Sequence, residues 1–192
     1  MKYKIKPIAM TVIIAFSSVS YATVEKDEKQ VNIEASKVVW KGYKVTGSHE
    51  GTIELNKGTL EFSDEKLVGG NFVIDMTTIG STDLQGEYKD KLDGHLKSDD
   101  FFGVEKHPTA SLVFKEVKQT GKNSYEVTGD ITIKGTTETI TFDLSVYGSK
   151  ANASIKIDRS KFDVRYGSTS FFDGLKDKAI YDEFDIVADL EF

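Results

Sequence analysis

The 192 residues contain no cysteine, so the chain can carry neither a disulfide framework nor a lipid-modified N-terminal cysteine, and it folds on its core alone. Proline is nearly as scarce, with only Pro7 and Pro108, and tryptophan is reduced to Trp40. Histidine stops at His49, His95 and His107, whose spacing shows none of the patterns of a tetrahedral metal site. Long apolar runs are missing as well. The longest apolar centre, Ile8 to Phe16, falls short of the roughly 20 residues that a membrane-spanning helix needs.

That centre belongs to a leader. Lys2, Lys4 and Lys6 precede it, and Ser20 and Ala22 follow as small residues before a cut, so residues 1–22 read as a secretory signal peptide. Residues 23–192 are then expected to form one soluble domain. Removing the three leader lysines leaves 22 basic against 31 acidic residues, a net of −9. Such a balance argues against nucleic acid and anionic membrane surfaces and serves solubility. Export places the protein in the periplasm or outside the cell.

Beyond the charged, patternless stretch Thr23 to Gln30, which reads as a loose leader, the period is two. Ile131 and Ile133, then Ile140, Phe142, Leu144 and Val146, then Phe184, Ile186, Ala188, Leu190 and Phe192 alternate with polar neighbours. The same holds less cleanly for Val38 to Val45, Thr52 to Phe62, Phe72 to Ile79, Ala110 to Val117, Tyr125 to Ile133 and Ala153 to Val164. Breaks at Asn56-Lys57-Gly58, Gly69-Gly70, Gly121-Lys122-Asn123, Lys134-Gly135-Thr136 and Gly148-Ser149-Lys150 read as hairpin turns. About eight strands joined by short turns predict an all-β antiparallel meander closed into a barrel. Whether its bore is hollow or filled by its own side chains, periodicity does not decide.

One helix interrupts the strands. Leu84, Tyr88, Leu92, His95 and Leu96 form a stripe expected to face the barrel, Glu87 and Lys91 are placed to pair, and Ser81, Thr82 or Asp83 is available as N-cap. Gly94 predicts an early helix end or a close approach to a strand. The segment His95 to Pro108 then follows neither period, and ties off one side of the barrel.

Lys91 to Pro108, K-L-D-G-H-L-K-S-D-D-F-F-G-V-E-K-H-P, resembles the signature of the YceI-like family of secreted lipid-binding proteins. Thr128 to Thr137 is similar to that family's central hairpin, Ile157-Asp158-Arg159-Ser160-Lys161-Phe162 to a characteristic turn, and Lys178 to Ile186 to the approach to its last strand. The resemblance implies an eight-stranded lipocalin-like barrel, usually periplasmic, whose apolar channel holds a polyisoprenoid such as a quinone tail, or a fatty amphiphile. It implies no catalytic activity and no required cofactor. The loop Tyr166 to Ala179 departs from the family pattern in length and aromatic content.

A tail gains about 0.8 kcal/mol per buried methylene, so enclosing about twelve yields on the order of 10 kcal/mol against an association cost of roughly 4 to 15 kcal/mol. An apolar bore is all that such binding needs. The inward candidates are Trp40, Phe72, Ile74, Met76, Leu112, Phe114, Ile131, Ile133, Ile140, Phe142, Leu144, Phe162, Phe184 and Ile186. Phe101-Phe102 and Phe171-Phe172 cannot alternate regularly, so at least one ring of each pair is expected to cover a barrel end, and Phe171 and Phe172 join the candidate ligand contacts. Arg159, among Asp158, Asp163 and Asp173, reads as a structural ion pair, with a lipid head group as its alternative partner. His95 reads as a packed histidine donating to a backbone carbonyl. A Ser98–His95 nucleophile pair lacks any visible oxyanion device.

The resulting expectation is a non-catalytic carrier of an isoprenoid or fatty lipid, without nucleic acid as a partner. Transient membrane contact is allowed, and the oligomeric state is open, a homodimer included. The alternative is a ligand-free extracellular structural or stress-related module acting through its acidic outer face.

Overall fold

The computed structural model describes residues 26–192, so the leader lies outside the described residues. The fold is all-β: eight antiparallel strands close a barrel, with one helix inserted between the third and fourth of them. The strands run β1 (Asp27–Gln30), β2 (Lys37–Lys44), β3 (Gly47–Ser63), β4 (Lys66–Ser81), β5 (Thr109–Gln119), β6 (Ser124–Ile133), β7 (Thr136–Tyr147), β8 (Lys150–Asp158) and β9 (Ile180–Glu191), and the helix α1 spans Gly86–Lys97. The ring is β2 to β9 in sequence order, closed by β9 pairing with β2. The short β1 adds no place to the ring. It pairs with the far half of β3, Asp27↔Phe62 to Gln30↔Thr59, on the edge that β2 occupies over Ile53 to Gly47. The stretch expected to be a loose leader is thus partly a strand, held by main-chain bonds that its exposed Asp-Glu-Lys-Gln side chains do not reveal.

Two expected turns are not turns. Asn56-Lys57-Gly58 lies inside β3 and Gly69-Gly70 inside β4; the hairpin between these strands is made by Asp64 and Glu65, both at positive φ (49° and 63°). The glycines instead admit aromatic rings. A Cβ on Gly58 would stand 2.8 Å from the Phe72 ring, and one on Gly70 would stand 2.9 Å from that of Phe114. The other three predicted turns connect β5–β6, β6–β7 and β7–β8.

The predicted strand Ala153 to Val164 stops at Asp158. A 3-10 turn, Arg159–Phe162, follows, with Asp158 accepting from the Ser160 amide and Asp163 left-handed at φ 59°. The turn fills a gap in the wall, because β7 and β8 pair only from Asp143↔Ser154 to Tyr147↔Lys150. Phe162, 1 % exposed, and Val164, 0 %, pack that gap.

Helix α1 lies against β4, and its predicted Glu87–Lys91 pair is made at 2.7 Å on the exposed face. The predicted stripe is corrected at Tyr88, which is exposed. Leu84 lies before the helix, and four-residue steps drift by about 40° per step on a helix of 3.6 residues per turn, so the stripe from Tyr88 to Leu96 turns around the axis and Leu96 is buried while Tyr88 is not. The inner side is completed by Asp93, which accepts from the amide (2.7 Å) and hydroxyl (2.9 Å) of Ser81, and by Lys89, which donates to Asp93 (2.6 Å) and to the Ser81 carbonyl (2.7 Å). No side chain caps the N-terminus at Gln85, and Asp83 instead meets the His49 Nδ1 at 2.9 Å. Gly94 neither ends the helix nor touches a strand.

Candidate functional site

Antiparallel order puts α1, the segment Ser98–Pro108, the β6–β7 hairpin and the loop between Arg159 and Ala179 at one end of the barrel, the cap end. The far end carries the β3–β4, β5–β6 and β7–β8 hairpins and is plugged. Leu60 and Val127 are fully buried there, Phe62 and Phe192 pack ring to ring at 5.5 Å, and the Tyr125 hydroxyl accepts from the Leu67 amide.

Between plug and cap lies a cavity of about 170 Å³, lined from every strand of the ring. Its lining is apolar except at Arg159 and Tyr181. The volume is of the order of the roughly 150 Å³ apolar cavities that stay dry and bind benzene. Small residues open it: Ala153 of β8 stands opposite Ala188 of β9, which stands opposite Val38 of β2, and all three line the space. Aromatic rings bound it on other sides, with Phe72, Phe114 and Phe142 in a chain of centroid distances 5.7 Å and 5.8 Å.

Twelve of the sixteen sequence-predicted contact residues stand on this wall: Trp40, Phe72, Ile74, Met76, Leu112, Phe114, Ile131, Ile133, Phe142, Leu144, Phe184 and Ile186. Four do not. Ile140 sits on the part of β7 that has no β8 partner and packs only partly buried against the core. Phe162 plugs the wall gap instead of facing the bore, because its strand has already turned at Asp158. Phe171 and Phe172 are exposed, 40 % and 50 %, on the outer loop. Sequence reasoning left out Ile53, Leu55, Ile155, Ile157 and Ala188, whose alternation was legible, and Ala153 and Gly42, whose small side chains carry little apolar signal.

The cap is made by the other phenylalanine pair. Phe101 and Phe102 are both buried at 7 % exposure, stand edge to face at 5.0 Å and line the cavity, and Phe102 reaches Phe184 at 6.4 Å. They are held by a winding of main-chain bonds after α1: the Phe101 amide donates to Ser98, Phe102 to Leu96, Gly103 to Ser98 and Val104 to Lys97. Gly103 takes φ 57° to make that winding.

Arg159 pins the cap from inside. It is 2 % exposed, stacks over the Phe101 ring at 5.4 Å, and donates to the carbonyls of Val164 (2.9 Å), Tyr166 (2.8 Å), Ile180 (3.0 Å) and Tyr181 (3.1 Å). Its ion-pair partner is Asp182 at 3.3 Å, not Asp158, Asp163 or Asp173 as the sequence implied; Asp163 pairs with Arg165, and Asp158 holds Ser160. Burial lowers the guanidinium pKa, opposed by Asp182 and Asp158. The donors are taken up by the protein itself, which makes Arg159 a clamp on two chain segments. His95 is likewise corrected: its ring packs between Phe101 (5.5 Å) and Tyr166 (4.3 Å), and its Nε2 is buried with no hydrogen-bond partner. The Ser98 hydroxyl donates to the His95 carbonyl, so the two side chains form no nucleophile pair. Among the described residues no cluster of His, Asp and Glu is arranged to hold a metal ion, and no helix is long and apolar enough to cross a membrane.

A closed barrel with one end plugged, the other capped, and an apolar cavity between them defines a class of small β proteins built to enclose hydrophobic molecules. Within that class the chain belongs to the YceI-like domain family, which it matches over residues 23–192. It is 36 % identical over 104 residues to a UPF0312 protein of Staphylococcus epidermidis, covering 50 % of this chain and 55 % of that one. Against a UPF0312 protein of Photorhabdus laumondii it is 36 % identical over 98 residues, 51 % of this chain and 48 % of the other. The chain thus spans about half the length of the curated relatives it matches. Among solved structures it is similar to Burkholderia cenocepacia BcnA (TM-score 0.67, 24 % identity, 83 % of this chain and 98 % of that one). It is also similar to a polyisoprenoid binding domain of Saccharophagus degradans implicated in plant cell wall breakdown (TM-score 0.56, 13 % identity, 84 % and 95 %). At these identities the likeness is one of fold.

Proposed function

We propose that the protein is an exported, periplasmic carrier that encloses the apolar tail of an isoprenoid, quinone-like or fatty amphiphile and exchanges it with a membrane. The observation that carries this reading is the cavity: an apolar space reached by every strand of the ring, in a barrel whose far end is closed by the buried Leu60, Phe62 and Val127. Membership of a family whose barrels bind hydrophobic small molecules supports it, as does the polyisoprenoid binding of the Saccharophagus degradans domain. Its volume houses a short alkyl stretch as the side chains stand, so a longer tail must turn the Phe101 and Phe102 rings and emerge under the cap. Export is argued from the basic and apolar leader.

The test is solvent extraction and native mass spectrometry of the purified mature protein, followed by titration with a fluorescent fatty or isoprenoid probe. One lipid per chain, displaced by the probe, is the expected result. A protein that is empty as isolated and takes up no probe overturns the carrier and leaves the outer face as the place of function.

A further inference from the structure

The loop from Lys161 to Ala179 holds the only exposed phenylalanines among the described residues, Phe171 and Phe172. Exposed Val45, Tyr166 and Tyr181 lie at the same end of the barrel. Exposed Val68, Val113, Tyr147 and Val187 lie elsewhere on the barrel, but Phe171 and Phe172 are adjacent, and adjacent exposed rings mark a contact site.

The loop is also stiff. Ser168, fully buried, receives the amides of Phe171 (3.3 Å) and Phe172 (3.0 Å) on its carbonyl and that of Ser170 (3.1 Å) on its hydroxyl. Ser170 donates to Asp182 at 2.7 Å, the Ile180 amide to Gly167 at 2.8 Å, and Arg159 holds the carbonyls of Tyr166 and Ile180 at the base. Two aromatic rings are therefore presented half exposed by a braced loop, with the Arg165 guanidinium over the Phe171 ring at 5.0 Å and Phe172 at the rim of a shallow pocket beside Tyr166 and Leu175.

Charge selects what they meet. Residues 161–179 carry Lys161, Arg165, Lys176 and Lys178 against Asp163, Asp173 and Asp177, whereas residues 23–192 as a whole carry nine more acids than bases. An anionic bilayer repels the acidic body of the protein more than this loop, whose net charge is +1 and whose neighbours Asp99 and Asp100 stand beside Phe172. Aromatic rings flanked by lysine and arginine suit the bilayer interface, where the rings sit at head-group depth and the cations stay in water. The same loop is bonded through Arg159 to the Phe101 cap of the cavity.

We infer that Phe171 and Phe172 form the membrane-docking surface of the protein, and that its occupant is a lipid bilayer met cap end first. The inference rests on the carrier reading for its purpose but not for its test. The mature protein is floated with vesicles of phosphatidylcholine containing a minor share of phosphatidylglycerol, beside a Phe171→Ser/Phe172→Ser double variant and a control, Tyr147→Ser, at the opposite end. Burying two half-exposed rings predicts about a tenfold weaker association for the double variant, none for the control, and unchanged melting for both. A Phe172→Trp variant should show a blue shift of its added emission on vesicle binding.

Wild-type protein that ignores vesicles, a double variant that binds like wild type, or sedimentation showing these rings buried between two copies of the chain each overturns the docking surface. Extracted lipid content is measured separately. Lipid-loaded protein that does not touch vesicles sinks the docking surface and leaves the carrier standing, while empty protein that docks through Phe171 and Phe172 does the reverse.

Discussion

Replacing Arg159 by methionine separates a clamp from a head-group anchor. The guanidinium serves four carbonyls on two segments, Val164–Tyr166 and Ile180–Tyr181, and pairs with Asp182. Methionine fills much of the same volume and serves none of them. Summing charge-assisted hydrogen bonds at about 1.5–3 kcal/mol each would give at least about 6 kcal/mol, but water reaches part of the vacated site and the carbonyls relax. Breaking a buried pair by removing one partner costs roughly 3–5 kcal/mol, and that is the expected loss. For a domain of this size it corresponds to a drop in Tm of about 10 °C. Lysine in the same position should recover only part, since one ammonium cannot fork across two segments. Equilibrium urea unfolding measures the loss, and extracted lipid is quantified on the same preparations. A loss under about 1 kcal/mol, or intact stability with the lipid gone, would refute the clamp and restore the head-group role.

Filling the cavity with Ala153→Phe, opposite Ala188, should cost about 1–3 kcal/mol of overpacking and abolish uptake of a fluorescent fatty probe; undiminished uptake would place the ligand elsewhere. Phe162→Ala should cost about 3–5 kcal/mol in urea unfolding yet leave the bound lipid unchanged per folded molecule, because Phe162 plugs the wall gap and does not line the cavity. Asp93→Asn should lose about 1–2 kcal/mol at neutral pH. Burial works to raise the Asp93 pKa, but hydrogen bonds from Lys89 and from the Ser81 amide and hydroxyl outweigh it and hold the carboxyl below its ordinary 3.8. Its contribution is therefore complete above that value and fades as the pH falls through the lower native one. The gap between wild type and variant should close in acid, and a gap that widens there would contradict the assignment.

The alternation of β6, β7 and β9 made the barrel legible, because a half-buried strand must place apolar side chains on every second position. What failed to show was whatever depends on partners distant in sequence. Gly58 and Gly70 look like turn residues until the rings of Phe72 and Phe114 cross them. Asp27 to Gln30 has no apolar face, and becomes a strand only because the edge of β3 continues past β2. Arg159 sits among nearby aspartates in sequence, yet its ion-pair partner Asp182 comes from the far side of the loop, where chain return and not proximity decides the pairing. The two Phe-Phe pairs read alike, but only Phe101-Phe102 follows a helix exit that winds inward.

The hollow itself lay below the resolution of residue patterns for a definite reason. Inward-facing Phe, Ile and Leu occur in the plugged half and the open half alike: Phe62, Leu60 and Leu67 close the far end, while Phe72, Ile74 and Leu112 surround space. The difference is made by what stands across from them. At the level of Ala153, Ala188 and Val38, three adjacent strands turn short side chains toward the cavity together. A single alanine in an alternating strand carries no signal, and only the register that aligns two of them on neighbouring strands makes a cavity. Specificity for tail length should therefore follow from that row and the cap above it, where each added methylene on the wall removes room that a ligand's methylene would occupy, at about 0.8 kcal/mol apiece.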